Sequence, residues 1–264
     1  MGPLRRNDPR QYDDLAGEWW RPGGGFEILH WLAEARAALV PPADRPGAVL
    51  VDAGCGAGLL APHVRRLGYT HVGVDLRRSG LEQSSSRGMF AVAGDVTALP
   101  VTTGCADVVV AGEILEHVPD LVGAVAELCR VLRPGGLLVI DTVNDTALGR
   151  LVTVTLGERL RVVPVGIHDP ALFVSPATLT RECARHGVRL RVRGVRPSVW
   201  GLVRWLALPT GPVNGSPAGR PLGRMVPTRS TAVLYQGMGR KAADPARPRD
   251  AVGVDAAPEA SSTR

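Results

Sequence analysis

The sequence predicts an α/β fold in which a mostly parallel, seven-stranded sheet carries helices on both faces. Three observations predict it. Short apolar runs (AVLVD at 48–52, HVGVD at 71–75, ADVVV at 106–110, GLLVID at 136–141) recur at βαβ spacing. Segments with apolar residues at helical intervals lie around and between them. The first run leads directly into Asp52-Ala53-Gly54-Cys55-Gly56-Ala57-Gly58, a glycine-rich turn of the kind that joins a buried strand to a helix and lets a ligand approach backbone amides.

The elements follow in order. Residues 1–10 read as a loose basic arm, and 12–25 as a short helix or turn ending in a glycine run. Phe26, Leu29, Leu32, Ala33, Arg36 and Leu39 fall at helical spacing, and Pro41 and Pro42 stop that helix. Residues 1–46 thus form an N-terminal helical cap. Residues 48–52 are the first strand, 59–67 a helix closed at Gly68, 71–75 the second strand and 89–93 the third. Residues 106–110 are the fourth strand. A helix at 122–132 ends at Pro134-Gly135-Gly136 and leads into the fifth strand, 136–141. Residues 145–170 break the rhythm: Leu and Val alternate with Arg150, Arg159 and Arg161 as in an amphipathic lid, a helix pair suited to an interface. A helix follows at 175–186 with Ser175 or Pro176 at its start, then a strand at 188–195, an apolar stretch at 200–209, a Gly/Pro-rich loop at 211–223 and a last strand at 231–236. Residues 47–239 form the ligand-binding domain with its insertion at 145–170. The Ala, Pro, Asp and Arg-rich residues 240–264 read as a disordered tail.

Composition narrows the class. The chain has 264 residues, 45% hydrophobic and 21% charged, which suits one globular domain. The net charge of +6 comes from scattered arginines without a dense tract, which reads as the bias of a GC-rich genome and not as a nucleic-acid surface. Cys55, Cys105, Cys129 and Cys183 make no CxxC pair and read as reduced thiols. The first residues are polar, unlike a signal peptide, and no apolar run reaches the roughly 18 residues of a membrane span. The expected location is cytoplasmic.

A glycine turn alone serves NAD, FAD or S-adenosylmethionine (AdoMet), or is a plain βα turn. Here Asp52 precedes it, placed to meet an ammonium, and the dinucleotide spacing is missing. Asp75 ends the second strand about twenty residues on, where a carboxylate accepts both hydroxyls of a ribose. Asp95, ending the third strand, can accept from an adenine amino group, and Glu113 follows the fourth strand on the cleft side.

With these residues stand Tyr12-Asp13, Trp19-Trp20, Gly25-Phe26, Leu29-His30, Arg36, the segment Glu113-Ile114-Leu115-Glu116-His117-Val118, the LRPGG at 132–136, Asn144, and Val163-Pro164 with Gly166, His168, Asp169 and Phe173. In this pattern the chain resembles the class I AdoMet-dependent methyltransferases, and within them the ubiquinone-biosynthesis O-methyltransferases, which methylate polyprenylated catechols. The resemblance covers most of residues 12–195 and implies a Rossmann-like class I methyltransferase fold. It implies that Arg36 grips the methionine carboxylate. Asp52 and the turn through Gly54, Cys55 and Gly56 would hold the amino acid part, Asp75 with Leu76 the ribose, and Asp95 with Val96 the adenine.

Glu113, Glu116 and His117, at i, i+3 and i+4, would share one side of a helical turn. Two carboxylates and an imidazole can hold Mg²⁺ or another divalent cation, and the resemblance associates this segment with such a metal near the substrate. The plainer reading is a helix cap and a packed imidazole. Without a metal His117 is the leading general base, His168 the second and His30 the third, with Glu113 also in the catalytic set. The implied acceptor is a phenolic hydroxyl of a catechol or quinol, with or without a lipid tail, and residues 145–170 would touch a membrane peripherally. Departures keep other acceptors open. Ala33-Glu34 replace the family's usual Asn-Pro, and residues 200–229 exceed its corresponding hairpin. A specialised-metabolite phenol such as a polyketide, as in antibiotic biosynthesis, is an alternative. So is a non-catalytic AdoMet-fold interaction protein. A nucleic-acid methyltransferase is disfavoured because Gly112-Glu113 stand where its nucleophile-handling motif belongs.

Overall fold

The computed structural model describes residues 4–160, 162–207 and 223–243. The expectations for Arg161, for the loop at 211–222 and for the tail from 244 onward lie outside the described residues. The strands are β1 (Val49–Ala53), β2 (Thr70–Asp75), β3 (Phe90–Ala93), β4 (Ala106–Gly112), β5 (Leu132–Val143), β6 (Arg191–Pro197), β7 (Met225–Thr228) and β8 (Leu234–Arg240). The helices are α1 (Gln11–Asp14), α2 (Glu27–Ala37), α3 (Ala61–Val64), α4 (Arg78–Ser85), α5 (Leu121–Val131), α6 (Ala147–Arg150), α7 (Gly157–Arg159), α8 (Pro176–Arg185) and α9 (Val199–Ala207).

The strands form one sheet in the order β3-β2-β1-β4-β5-β8-β6-β7. β1 to β5 pair in parallel, and β8 runs antiparallel between β5 and β6. The sheet holds one strand beyond the expected seven. That extra strand is β7, antiparallel to β6 at the sheet edge, where Pro227 withdraws no ladder hydrogen bond that a central strand would need. Strand order reverses between β1 and β4, which opens a crevice at their C-terminal ends.

The period-two alternation of the central strands feeds two cores. Val51, Ala53, Val109, Ala111, Leu138 and Ile140 face α5 and α8, packing on Leu128, Leu179 and Cys183. Leu50, Val108, Val110, Leu137 and Val139 face the other way, onto Ala37, Val40, Leu60 and Val64. Caps match the sequence: Ser175 Oγ accepts from Thr178 N at 3.2 Å with Pro176 in the first turn of α8, and Asp120 accepts from Gly123 N at 2.9 Å at the start of α5.

Three expectations change. The insertion is one helix and not a helix pair: α6 continues through π-helical turns at Leu151–Leu156 into α7. The arm is not loose: the Arg6 guanidinium donates to both Glu158 carboxylate oxygens at 2.6–2.8 Å, and Asn7 N donates to Gly166 O at 2.8 Å. Ordered sheet extends past residue 239, since β8 runs to Arg240 and Lys241 bridges Val188. Lys241 Nζ also donates to Cys129 O and Leu132 O at 2.7 and 2.9 Å, closing the C-terminal end of α5. Among the described residues no helix is long and apolar enough to cross a membrane.

Candidate active site

A cavity of about 760 Å³ opens at the strand-order reversal. Arg36, Asp52, Gly54, Cys55, Gly56, Asp75, Leu76, Asp95, Val96 and Glu113 all line it, as do His117 and His168. His30 is not among the lining residues. Its Nε2 lies 2.8 Å from Trp19 O, so its role there is packing.

The Trp19-Trp20 pair holds the glycine turn from below. Gly56 is left-handed, and a side chain there would strike the Trp19 ring. Trp20 Nε1 donates to Ala57 O at 3.2 Å, and the Arg87 guanidinium lies 3.3 Å over the Trp20 ring. Asp75 accepts from Gly56 N through Oδ2 and from Arg77 N through Oδ1, both at 2.8 Å. That fixes the carboxylate at the end of β2 with lone pairs left for ligand hydroxyls. Burial raises the Asp75 carboxyl above the usual carboxylate range. Asp95 Oδ1 accepts from Thr97 N and Thr97 Oγ1 at 2.8 Å. Burial raises the Cys55 thiol well above its ordinary value, so it lines the cavity without nucleophilic character.

Arg36 comes from the last turn of α2 and is buried. Its Nη1 donates to Asp141 Oδ1 at 2.5 Å, while its buried Nε has no partner. The guanidinium crosses Gly112, where any Cβ would overlap it. Sequence reading missed both Asp141 and Gly112. Asp141 carried a signal, as the one charge within the buried run LLVIDTV, because a buried charge requires a partner.

The chain then turns sharply. Glu113 sits in the left-handed region at φ 51°, a conformation that costs a non-glycine residue and recurs at functional sites. A 3₁₀ turn follows at Leu115–His117. The expected shared helical face therefore fails at Glu113. Among the described residues, the potential ligand atoms that gather within 4.8 Å of one another belong to Glu116, His117 and His168, with His168 where Glu113 was expected. Glu113 and Glu116 remain close enough for each to shift the other's carboxyl. Burial and the Glu116 charge hold Glu113 well above its ordinary value. Glu116 is pushed up to about 7 by burial, against the hydrogen bond from Thr142 Oγ1 at 2.7 Å.

The arm completes this corner. Asn7 Nδ2 donates to His117 O at 2.9 Å, which turns Asn7 Oδ1 toward His117 Nδ1 at 2.6 Å. Nδ1 therefore carries the proton, and Nε2 accepts from Tyr12 Oη at 3.1 Å. Burial and His168 push His117 well below its ordinary value, and burial brings His168 down to about 4. The two imidazoles stack with centroids 5.0 Å apart. His117, the leading base by sequence, thus has both nitrogens engaged. His168 Nδ1, Glu113 Oε1 and Glu116 Oε1 are buried atoms without hydrogen-bond partners. Beyond this corner the cavity wall turns apolar, with Leu29, Val152, Leu156, Leu160, Leu202 and Trp205.

A methyltransferase-domain family matches residues 51–140. The ubiquinone biosynthesis O-methyltransferase of Burkholderia pseudomallei (strain 1710b) is 32% identical over 197 residues, covering 70% of this chain and 84% of the relative. That of Thiobacillus denitrificans is 33% identical over 187 residues, covering 67% and 81%. Among solved structures, a SAM-dependent methyltransferase of Thermotoga maritima, described as a possible histamine N-methyltransferase, superposes with TM-score 0.56 at 18% identity over 88% of this chain and 97% of its own. The geranyl diphosphate C-methyltransferase of Streptomyces coelicolor A3(2), solved with Mg²⁺, geranyl-S-thiolodiphosphate and S-adenosyl-L-homocysteine, gives 0.55 at 18% identity over 79% and 74%. These structural likenesses establish the class I fold.

Proposed function

The chain belongs to the ubiquinone biosynthesis O-methyltransferase family and is an AdoMet-dependent O-methyltransferase, and we propose that its acceptor is a phenolic hydroxyl of a catechol or quinol with an apolar substituent. The observation that carries the reading is the junction of two surfaces in one cavity: the acid–imidazole corner at Glu116, His117 and His168, and the apolar wall of Val152, Leu156, Leu160 and Trp205.

AdoMet supplies an activated methyl group on its sulfonium. The unpartnered Arg36 Nε and the carboxylate of Asp52 suit the carboxylate and ammonium of the methionine part. Asp75 suits the ribose, while Asp95 and Val96 frame the adenine. The carboxylates around the cavity suit a cationic cofactor. His168 Nδ1, the free imidazole nitrogen, accepts the phenolic proton. The helix at 147–159 and the arm exclude water, so that alignment of oxygen and methyl does most of the work.

A divalent cation fits the same corner, since the ligand atoms of Glu116, His117 and His168 lie within 4.8 Å of one another, Glu116 Oε1 and His168 Nδ1 are buried and unpartnered, and the donor set is oxygen and nitrogen. Held there, it would favour the ionised phenol. Trp205, contributed by α9, supports a second reading in which the acceptor is a fused-ring phenol of a specialised metabolite. Leu148, Leu151, Leu156 and Leu160 are exposed on the 147–159 helix and its end, and support peripheral contact of this face with a membrane.

The test is AdoMet-dependent methylation of a panel of simple catechols, short-tailed prenyl catechols and polycyclic phenols, with Mg²⁺ and with chelator. Preference for tailed catechols supports the first acceptor class and preference for fused rings the second. Product that survives chelator removes the cation from the proposal. AdoMet binding without product on any phenol would overturn the acceptor class.

A further inference from the structure

Asp141 does not line the cavity, yet it is fully buried directly behind Arg36. Three strands converge on it. Asp141 on β5 is in register with Gln236 on β8, which is in register with Arg193 on β6. Gln236 Nε2 donates to Asp141 Oδ2 at 3.4 Å, and Arg193 Nη2 donates to Gln236 Oε1 at 3.5 Å. Asp141 Oδ1 receives Arg36 Nη1 at 2.5 Å, and its backbone oxygen accepts from Glu113 N at 3.0 Å. One carboxylate thereby ties the cofactor-facing arginine to the sheet and to the Glu113 turn.

Without that tie a guanidinium at the end of three methylenes samples many rotamers. With it, and with Gly112 offering no side chain against it, the group is held at β4 beside the cavity with Nε buried and unpaired. We propose that Asp141 is a positioning residue for cofactor binding: it presents the Arg36 guanidinium to the methionine carboxylate of AdoMet. The proposal rests on the reading of Arg36 as the partner of that carboxylate. The pairing also neutralises a buried cation whenever the crevice is empty, so Arg36 does not need water there.

The test compares two ligands that differ only in the carboxylate. Calorimetric titration of the full chain with AdoMet and with decarboxylated AdoMet is carried out for wild type, Asp141→Asn, Asp141→Ser and Arg36→Gln. Asp141→Asn keeps size and one acceptor oxygen, so it retains the fold, which a melting curve checks. Charge-assisted hydrogen bonds are roughly twice as strong as neutral ones. Both Asp141 variants are therefore expected to weaken AdoMet by about tenfold, roughly 1.4 kcal/mol, and decarboxylated AdoMet by less than about twofold. Equal weakening of both ligands, tighter AdoMet binding or no change overturns the proposal. Arg36→Gln separates the two readings. If it loses both ligands alike, the Arg36 reading falls and the proposal with it. If it loses AdoMet alone while the Asp141 variants lose neither, only the proposal falls.

Discussion

Replacing Glu116 with Gln should stabilise the ligand-free chain above neutral pH, although it removes a residue from the centre of the site. Burial pushes the Glu116 carboxyl up to about 7 from 4.5. A carboxyl raised in the folded state contributes stability that is complete below its unfolded value and is lost as pH rises through its folded value. The window therefore runs from about pH 4.5 to beyond 7. A gap of that size, at about 1.4 kcal/mol per unit, costs roughly 3 kcal/mol at pH 8. Burial and the neighbouring Glu116 charge also raise Glu113 well above its ordinary value. Gln can keep an oxygen toward Thr142 Oγ1, which now donates at 2.7 Å, so little hydrogen bonding is lost. For a chain of this size the difference amounts to roughly 6 °C or more in Tm. The assay is scanning calorimetry at pH 5.5 and pH 8.0 with chelator. Wild type should lose stability between the two, and Glu116→Gln should lose much less. Adding Mg²⁺ or Mn²⁺ at pH 8 should raise the Tm of wild type and not of the variant. Equal pH slopes in the two proteins would refute the reasoning.

Asn7→Ala removes the bonds at 2.6 and 2.9 Å and strands the His117 Nδ1 proton. It should cost about 2–4 kcal/mol in urea unfolding and abolish the single His117 tautomer in ¹⁵N spectra, so an unchanged imidazole spectrum would contradict it. Gly112→Ala places a methyl group on the Arg36 guanidinium and should raise the AdoMet Kd about tenfold or more; unaltered affinity by calorimetry would refute the contact. Leu128→Ala, in the fully buried α5 core, should cost about 2–5 kcal/mol in denaturant unfolding, and a loss under about 1 kcal/mol would mean that this core is looser than described. His168, lowered from 6.5 to about 4, gives stability that is complete above about pH 6.5 and lost as pH falls through 4. His168→Gln should flatten the acid side of the stability–pH curve, and an unchanged acid limb would remove the group from the account.

The sheet was legible because both its faces are buried, so that β1, β2, β4 and β5 appear as apolar runs closed by ligand-facing residues. Asp52 and Asp75 fall within the last two residues of β1 and β2 and Asp95 two residues past β3, and all three line the cavity. The β7 strand was not, since four residues including a proline carry no alternation. α4 (RSGLEQSS) was also missed, as its polar face outweighs Leu81. The acid corner was half legible. Glu116 and His117 do lie together with His168, but the left-handed Glu113 lies outside any periodic pattern. The third member of that cluster is His168, 51 positions further along the chain than His117. Asn7 illustrates the limit most clearly: in sequence it is one polar residue in a basic arm, and only tertiary contact makes it the partner of an imidazole.

That arm also sets the order in which the molecule can be finished. Asn7 and Tyr12 meet His117 across 110 and 105 positions, and Arg6 meets Glu158 across 152. Residues 6–12 leave the ribosome before their partners, and His117 follows only after β1 to β4 have been made. Closing loops of this span is slow. A nascent chain can therefore lay down the glycine turn and its neighbouring strands while the arm still trails. The acid–imidazole corner is complete only once residues 6–12 have docked on it.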